Sequence, residues 1–268
     1  MGKDKIKQIV KKYIKEQQLK EIEHFIIEGI DVDSKNKTVK VNLNHEEGIN
    51  TSINNNPTVT KMSNGINVYS IFKRKSIPNI NLDGNPLVHA LKNNKGWIVS
   101  DYDKRLLLNQ FNQIVNKIPQ RFDTLIKLPS SNDLNNLFMN LLKKKLHFDN
   151  LISDEIFPKL SKEDVFENSV NGKEIPQKAF NEIVNSFNKM KNNKFSFKEI
   201  QPENRKYISN IFDGYCDVVN FGDKINDKNI LILDDVMATG ASISNYVENI
   251  NAMFAPKSIN VITLFSKL

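Results

Sequence analysis

A single cysteine, Cys216, stands in a chain of 268 residues. A disulfide within the chain is therefore excluded, as is any zinc site built on cysteines. His24, His45, His89 and His147 are scattered without the spacing of metal ligands. No apolar run approaches the ~20 residues of a membrane-spanning helix. The first residues lack the apolar stretch of a signal peptide, so a cytosolic location is the expectation. No GxxxxGK[ST] loop occurs, which excludes a P-loop NTPase, and the lack of GxGxxG counts against a dinucleotide dehydrogenase. A strongly basic core is missing too. The net charge is +7, but residues 1–20 carry seven lysines against Asp4 and Glu16, a surplus of five, so the remainder carries only +2. A dedicated DNA-binding domain would show more.

What remains is enough for a sizeable core: 39% of residues are hydrophobic, and 16 of them are Phe. The length fits one large α/β domain, or one domain with an extension. Residues 4–27 read as one or two helices, with Ile6, Ile9, Val10, Tyr13 and Ile14 forming an apolar stripe. Such a helix either docks on the body with its lysines solvated or meets an acidic partner or nucleic acid. Thr38 to Leu43 and Ile66 to Phe72 are strand-like, and Asn44 to Thr60 reads as an Asn-rich loop. Gly96-Trp97-Ile98-Val99 is a short apolar run, and Arg105 to Ile118 reads as a helix.

The most informative stretch is residues 230–244. Ile230 to Leu233 are four apolar residues that run straight into Asp234 and Asp235. A turn of small residues follows, Ala238-Thr239-Gly240-Ala241-Ser242. Ile243, Tyr246, Val247, Ile250 and Phe254 then recur at helical spacing. A continuous apolar strand suits the middle of a parallel sheet covered on both faces, and ligands of such sheets sit beyond the carboxyl ends of the strands. Ionised carboxylates only accept hydrogen bonds, which suits the two hydroxyls of a ribose. Main-chain amides of a small-residue turn at a helix start suit a phosphate, and Thr239 and Ser242 can add hydroxyl donors. A side chain at Gly240 is expected to fill the anion's space. Diol on the acids and anion on the turn together describe a pentose 5-phosphate.

This stretch resembles the PRPP-binding signature of the type I phosphoribosyltransferases. Asp234 and Asp235 match the family's acidic pair, and Ala238 to Ser242 match its turn, with Ala238 where Thr is commoner. The resemblance implies that the acids hold the ribose hydroxyls and the turn holds the 5-phosphate. It also implies Mg²⁺, carried through PRPP and reached only indirectly by Asp234 and Asp235. The implied fold is α/β, of the type I phosphoribosyltransferase kind: a central, mainly parallel sheet flanked by helices, with an N-terminal extension and a variable hood.

Upstream, Asp123 to Lys127 reads as a strand, Leu128 to Asp133 as a turn, and Leu134, Leu137, Phe138, Leu141 and Leu142 as one face of a helix capped by Asn132 or Asp133. Lys143, Lys144 and Lys145 follow at its end. This unit resembles the family's pyrophosphate loop, which makes Pro129, Ser130 and Ser131 candidate contacts and Lys127 a candidate to reach the pyrophosphate. A cis bond before Pro129 would turn amides toward it. The alternative is an ordinary capped helix with Ser130 and Ser131 as turn residues. Gln201 to Phe212, with Arg205, and Pro86 to Lys92 resemble segments of the ComF-like subfamily, although its cysteine-rich zinc module is absent. Arg205 is a candidate for pyrophosphate, since a guanidinium forks onto phosphate oxygens; otherwise it is a surface arginine.

Residues 1–95 are thus expected to form an N-terminal extension and residues 96–268 a phosphoribosyltransferase-like domain. The polar segment 152–203 takes the place of the hood, or else folds as a few surface helices, with Ala179 to Met190 helical. The expected activity is transfer of 5-phosphoribosyl from PRPP to a nitrogenous acceptor with release of pyrophosphate. The alternative is a non-catalytic ComF-like protein that binds PRPP or a nucleotide and serves DNA uptake or nucleic-acid processing.

Overall fold

The computed structural model describes residues 29–42, 48–75, 86–130, 133–152, 156–170, 174–190, 193, 195–214 and 216–267. The expected helix over 4–27, Ser131 and Asn132 lie outside these residues. The chain divides into two compact units, one of residues 1–58 and 70–118, the other of residues 59–69 and 119–268.

In the first unit, β1 (Gly29–Asp33) pairs antiparallel with β2 (Thr38–Asn42). Asp33 shapes the turn between them by accepting the amides of Lys35 and Asn36, each at 3.0 Å. The stretch expected as a loop over Asn44 to Thr60 instead contains β3 (Ile49–Asn50) and the start of β4 (Thr58–Lys61). β4 forms a hairpin with β5 (Asn67–Arg74), and β3 pairs antiparallel with the far end of β5. Next come α1 (Pro86–Leu91), β6 (Ile98–Val99), which lies parallel to β2, and α2 (Asp101–Val115). The helix expected from Arg105 starts a turn earlier because Ser100 caps it, accepting the amide of Asp103 at 3.1 Å. Asp103 in turn accepts the amide of Val41 at 2.9 Å and so fastens the helix to β2.

The second unit is an α/β layer structure. Its strands are β7 (Arg121–Lys127), β8 (His147–Ile152), β9 (Asn229–Met237) and β10 (Ser258–Ser266), all parallel, in the order β10-β9-β7-β8. Beyond β10 lies β5, whose Asn67–Tyr69 belong to this unit. The central sheet is therefore mixed and mostly parallel. Helices α3 (Leu134–Leu142), α4 (Lys162–Val170), α5 (Gln177–Lys189), α6 (Val218–Ile225) and α7 (Ala241–Met253) complete the unit, with α3 packed on β9 and α6 on β7. The hydroxyl of Thr124 on β7 donates to the carbonyl of Lys224 at the end of α6.

Ile230 to Leu233 are fully buried, as a strand covered on both faces must be. Each contributes about 1.5–3 kcal/mol by leaving water. Ile230 and Ile232 share one apolar cluster with Ile243, Tyr246, Val247 and Ile250 of α7. The same cluster holds Val165 of α4 and Ile183 and Phe187 of α5. The segment 152–203 is therefore built into the core where it is described. An aromatic chain extends this packing, with ring centroids 5.1 Å apart for Phe166–Phe187 and 5.5 Å for Phe187–Phe195.

Two expectations follow. Phe187→Ala should lower the unfolding free energy by about 3–5 kcal/mol, read from denaturant curves; a detachable cover would leave the global midpoint unchanged. Asp123 on β7 accepts the amide of Asn229 at 2.7 Å and its side-chain nitrogen at 2.8 Å, tying β7 to the start of β9. The Asn229 amide is the main reason that the Asp123 carboxyl lies below its ordinary pKa. A depressed carboxylate stabilises the fold fully above its unfolded pKa of about 4, and that stability is lost as pH falls through the folded value. The stability gap between wild type and Asp123→Ala should accordingly be present at neutral pH and shrink in acid.

Candidate functional site

The order β10-β9-β7-β8 reverses direction between β7 and β9. From β7 the chain moves outward to β8; from β9 it moves the other way to β10. At such a switch point the connections after the two central strands leave on opposite sides, and a crevice opens beyond their carboxyl ends. The residues at that crevice follow from the register. Lys127 lies opposite Leu233, and the amide of Leu128 donates to the Leu233 carbonyl at 2.9 Å. The loop through Pro129 and Ser130 therefore leaves β7 beside Asp234. Two segments distant in sequence, the acidic end of β9 and the loop after β7, are brought together as the sequence suggested.

Asp234 and Asp235 lie inside β9, so their side chains leave on opposite faces of the sheet. Asp234 is half-buried, and its Oδ1 accepts the amide of Asp235 at 2.9 Å. Asp235 is only 5% exposed. The two acids are thus unequal: Asp234 is the one open to a ligand. Lys127 is half-buried at the end of β7, and its Nζ donates to Asn136 Oδ1 at 2.7 Å, which holds the ammonium at the start of α3. Asn135 Nδ2 donates to the Leu128 carbonyl at 3.3 Å and pins the same loop. Of the two candidate caps, Asp133 makes no side-chain capping bond and its backbone is already helical, while Asn132 lies outside the described residues. Among the described residues the cis peptide is Asn56–Pro57, so the bond before Pro129 is trans.

The turn after β9 is short. Ala238 and Thr239 lead into Gly240, which sits at the N-cap of α7 with φ 78° and ψ 1°. That left-handed conformation is costly for any residue with a Cβ. No side chain caps α7, and its first helical bond runs from the Ser244 amide to the Gly240 carbonyl at 2.8 Å. The amides of Ala241, Ser242 and Ile243 therefore precede the helix's own hydrogen bonding and carry the positive end of its dipole. Thr239 is exposed, and Ala238, Ala241 and Ser242 are partly so. One expectation needs correction. A Cβ built on Gly240 would meet Met62 Cε at 3.1 Å and Met237 Sδ at 3.6 Å. It would point at two thioethers, so glycine is required here by backbone angle and close packing. Met62 had no signal in the sequence that tied it to this turn.

Arg205 lies in a 3₁₀ helix, Pro202–Tyr207, and is 7% exposed. Its Nε donates to the Ile200 carbonyl at 3.0 Å, within its own segment. Elsewhere a cavity of about 370 Å³ is lined by Leu160, Asp164, Glu167, Asn210, Phe212 and Asn249 among others. Asn249 is about 12 Å along α7 from the helix start, so this cavity and the strand-end turn are different places. Its carboxylates would repel a phosphate. Main-chain amides at a helix start hold a phosphate without needing an enclosed cavity.

Among the described residues no group of three His, Cys, Asp or Glu side chains could hold a metal ion. With Asp235 covered and Asp234 half-buried, the acidic pair forms no cage of protein ligands around a metal. No helix of the described residues is long and apolar enough to cross a membrane. Comparison with known proteins finds no matching family model, no curated relative and no solved structural neighbour.

The glycine requirement is testable. Gly240→Ala should cost about 1–2 kcal/mol of stability by urea titration, and Gly240→Asn less, because Asn tolerates the left-handed region better. Equal stability of all three proteins would contradict the strained turn.

Proposed function

We propose that the chain is a phosphoribosyltransferase of the type I kind, which binds PRPP with Mg²⁺ and transfers its 5-phosphoribosyl group to a nitrogenous acceptor. The reading is carried by the junction of β9 and α7 at the switch point: a carboxylate at the strand end, a left-handed glycine, then uncapped helix-start amides. On this reading Ala238, Thr239, Gly240, Ala241 and Ser242 wrap the 5-phosphate. Asp234 accepts from a ribose hydroxyl. Asp235, buried on the opposite face of the sheet, would act on the ribose only through its charge.

Pro129 and Ser130 line the pyrophosphate side from the loop after β7. Lys127, one strand over from Leu233, places a positive charge there. The acceptor nitrogen forms a bond to C1 as the C1–O bond breaks, pyrophosphate leaves with the bonding electrons, and the nitrogen gives up its proton. Positive charge develops on the ribose ring during the step, as in glycoside cleavage. Magnesium supplies neutralisation of the leaving group when bound. The chain's own part is to position the sugar and to shield the departing charge. Arg205 would join the site only if its bond to Ile200 opened.

A second reading is a protein of the same fold that binds PRPP or a nucleotide without turnover, with a role in DNA uptake or nucleic-acid processing. Two observations favour it: the burial of Asp235 and the internal bond of Arg205. A nucleic-acid or acidic partner would be met through the lysine-rich N-terminal residues.

Asp234→Asn together with Asp235→Asn should abolish PRPP binding in calorimetry while circular dichroism is unchanged. Unaltered affinity would remove the site assignment. Pyrophosphate release from PRPP and Mg²⁺ across a panel of bases and amines separates the two readings: release supports the enzyme, and binding without release supports the binding protein.

A further inference from the structure

Gly240 is buried although it has no side chain of its own. What covers it is the tip of the β4–β5 hairpin. The Met62 amide donates to the Ile66 carbonyl and the Gly65 amide to the Met62 carbonyl, both at 2.9 Å, which closes the tip. Behind the tip, Ile66 and Val68 are buried in the cluster that also holds Met237, Ile243 and Tyr246, and Met62 packs against it. The hairpin is therefore anchored in the same core that supports the turn. Met62 reaches from it to within 3.1 Å of where a Cβ of Gly240 would stand, beside Met237 at 3.6 Å.

We infer that Met62 is a positioning residue: its thioether holds Gly240 in the left-handed conformation and thereby sets the direction of the amides at the start of α7. The inference rests on the phosphate reading of that turn. Glycine has the widest backbone freedom of any residue, so its conformation must be set by what surrounds it. In this turn no side-chain hydrogen bond caps the helix. The contacts at hand are apolar, from Met62 on one segment and Met237 on the preceding strand. A hydrophobic residue that fixes the entry angle of the chain into a helix is a known device, and a flexible thioether fits an irregular gap beside a bare Cα. Met62 is only partly buried and lies at a hairpin tip, so its loss should disturb the turn more than the fold.

The test compares wild type, Met62→Ala and Met62→Leu, titrated with ribose 5-phosphate and with PRPP plus Mg²⁺. Thermal midpoints and amide NMR spectra of the free proteins are recorded alongside. Met62→Ala should weaken both ligands by about tenfold, a readily measured change in Kd. Its thermal midpoint should stay close to wild type, and its amide shifts should move mainly at Thr239 to Ile243. Met62→Leu, which restores the apolar bulk, should recover most of the affinity. Wild-type affinity in Met62→Ala would overturn the inference. So would a loss that follows a fall in thermal midpoint and is not recovered by leucine. A wild-type protein that binds neither ligand would overturn the phosphate reading and this inference with it. One that binds normally while Met62→Ala is unchanged would overturn this inference alone.

Discussion

Main-chain hydrogen bonding between β7 and β9 decides where everything else in the second unit stands. Because Lys127 pairs with Leu233, the loop after β7 and the acids of β9 end at the same level of the sheet. A slip of one residue would turn the side chains of β9 over and send its buried leucines and isoleucines to the wrong faces. The register is therefore locked by four fully buried side chains, Ile230 to Leu233, and by the Asp123–Asn229 bonds at the other end of the strands. The core thus sets the alignment of the loop after β7 with the acidic end of β9.

From that alignment the chemistry is assembled out of few parts. β9 carries its four fully buried apolar residues first, then Asp234 and Asp235, and runs on to Met237. Gly240 turns the chain within three residues of Met237, and α7 begins at once. The apolar face of α7 then returns to the core through Ile243, Tyr246, Val247 and Ile250. Burial of one side of the helix and a head whose first amides precede the helix's own hydrogen bonding are two consequences of one packing arrangement. The Met62 hairpin adds a third element, clamping the one residue whose backbone would otherwise be loosest.

How much of this was legible beforehand varied with the physics of each segment. β9 and α7 were plain, because four consecutive apolar residues and a 3.6-residue repeat each have one structural explanation. β7 and α3 were readable for the same reason, and the helical reading of Ala179 to Met190 matches α5 closely. β8 carries no such signal: on this edge strand His147 and Asp149 are exposed and Phe148 and Asn150 only half-buried, so no apolar face marks it. β3 and β4 were hidden in a run of Asn, Ser and Thr that reads as loop. At the site, Asp234 and the small-residue turn were legible because local order alone specifies them. The burial of Asp235, the Ile200 bond of Arg205 and the approach of Met62 to Gly240 were not, since each depends on segments far apart in sequence or on irregular turns without a periodic signature.

The proposed function stands or falls with a phosphorylated pentose held at the β9–α7 junction. Amide chemical shifts of the isotope-labelled protein, followed while ribose 5-phosphate is added, address it directly. Saturable shifts are expected at Thr239, Gly240, Ala241 and Ser242, with Asp234 and Ser130 responding at the same ligand concentration. Shifts confined to the cavity around Asp164, Asn210 and Asn249, or none at any concentration, would contradict it.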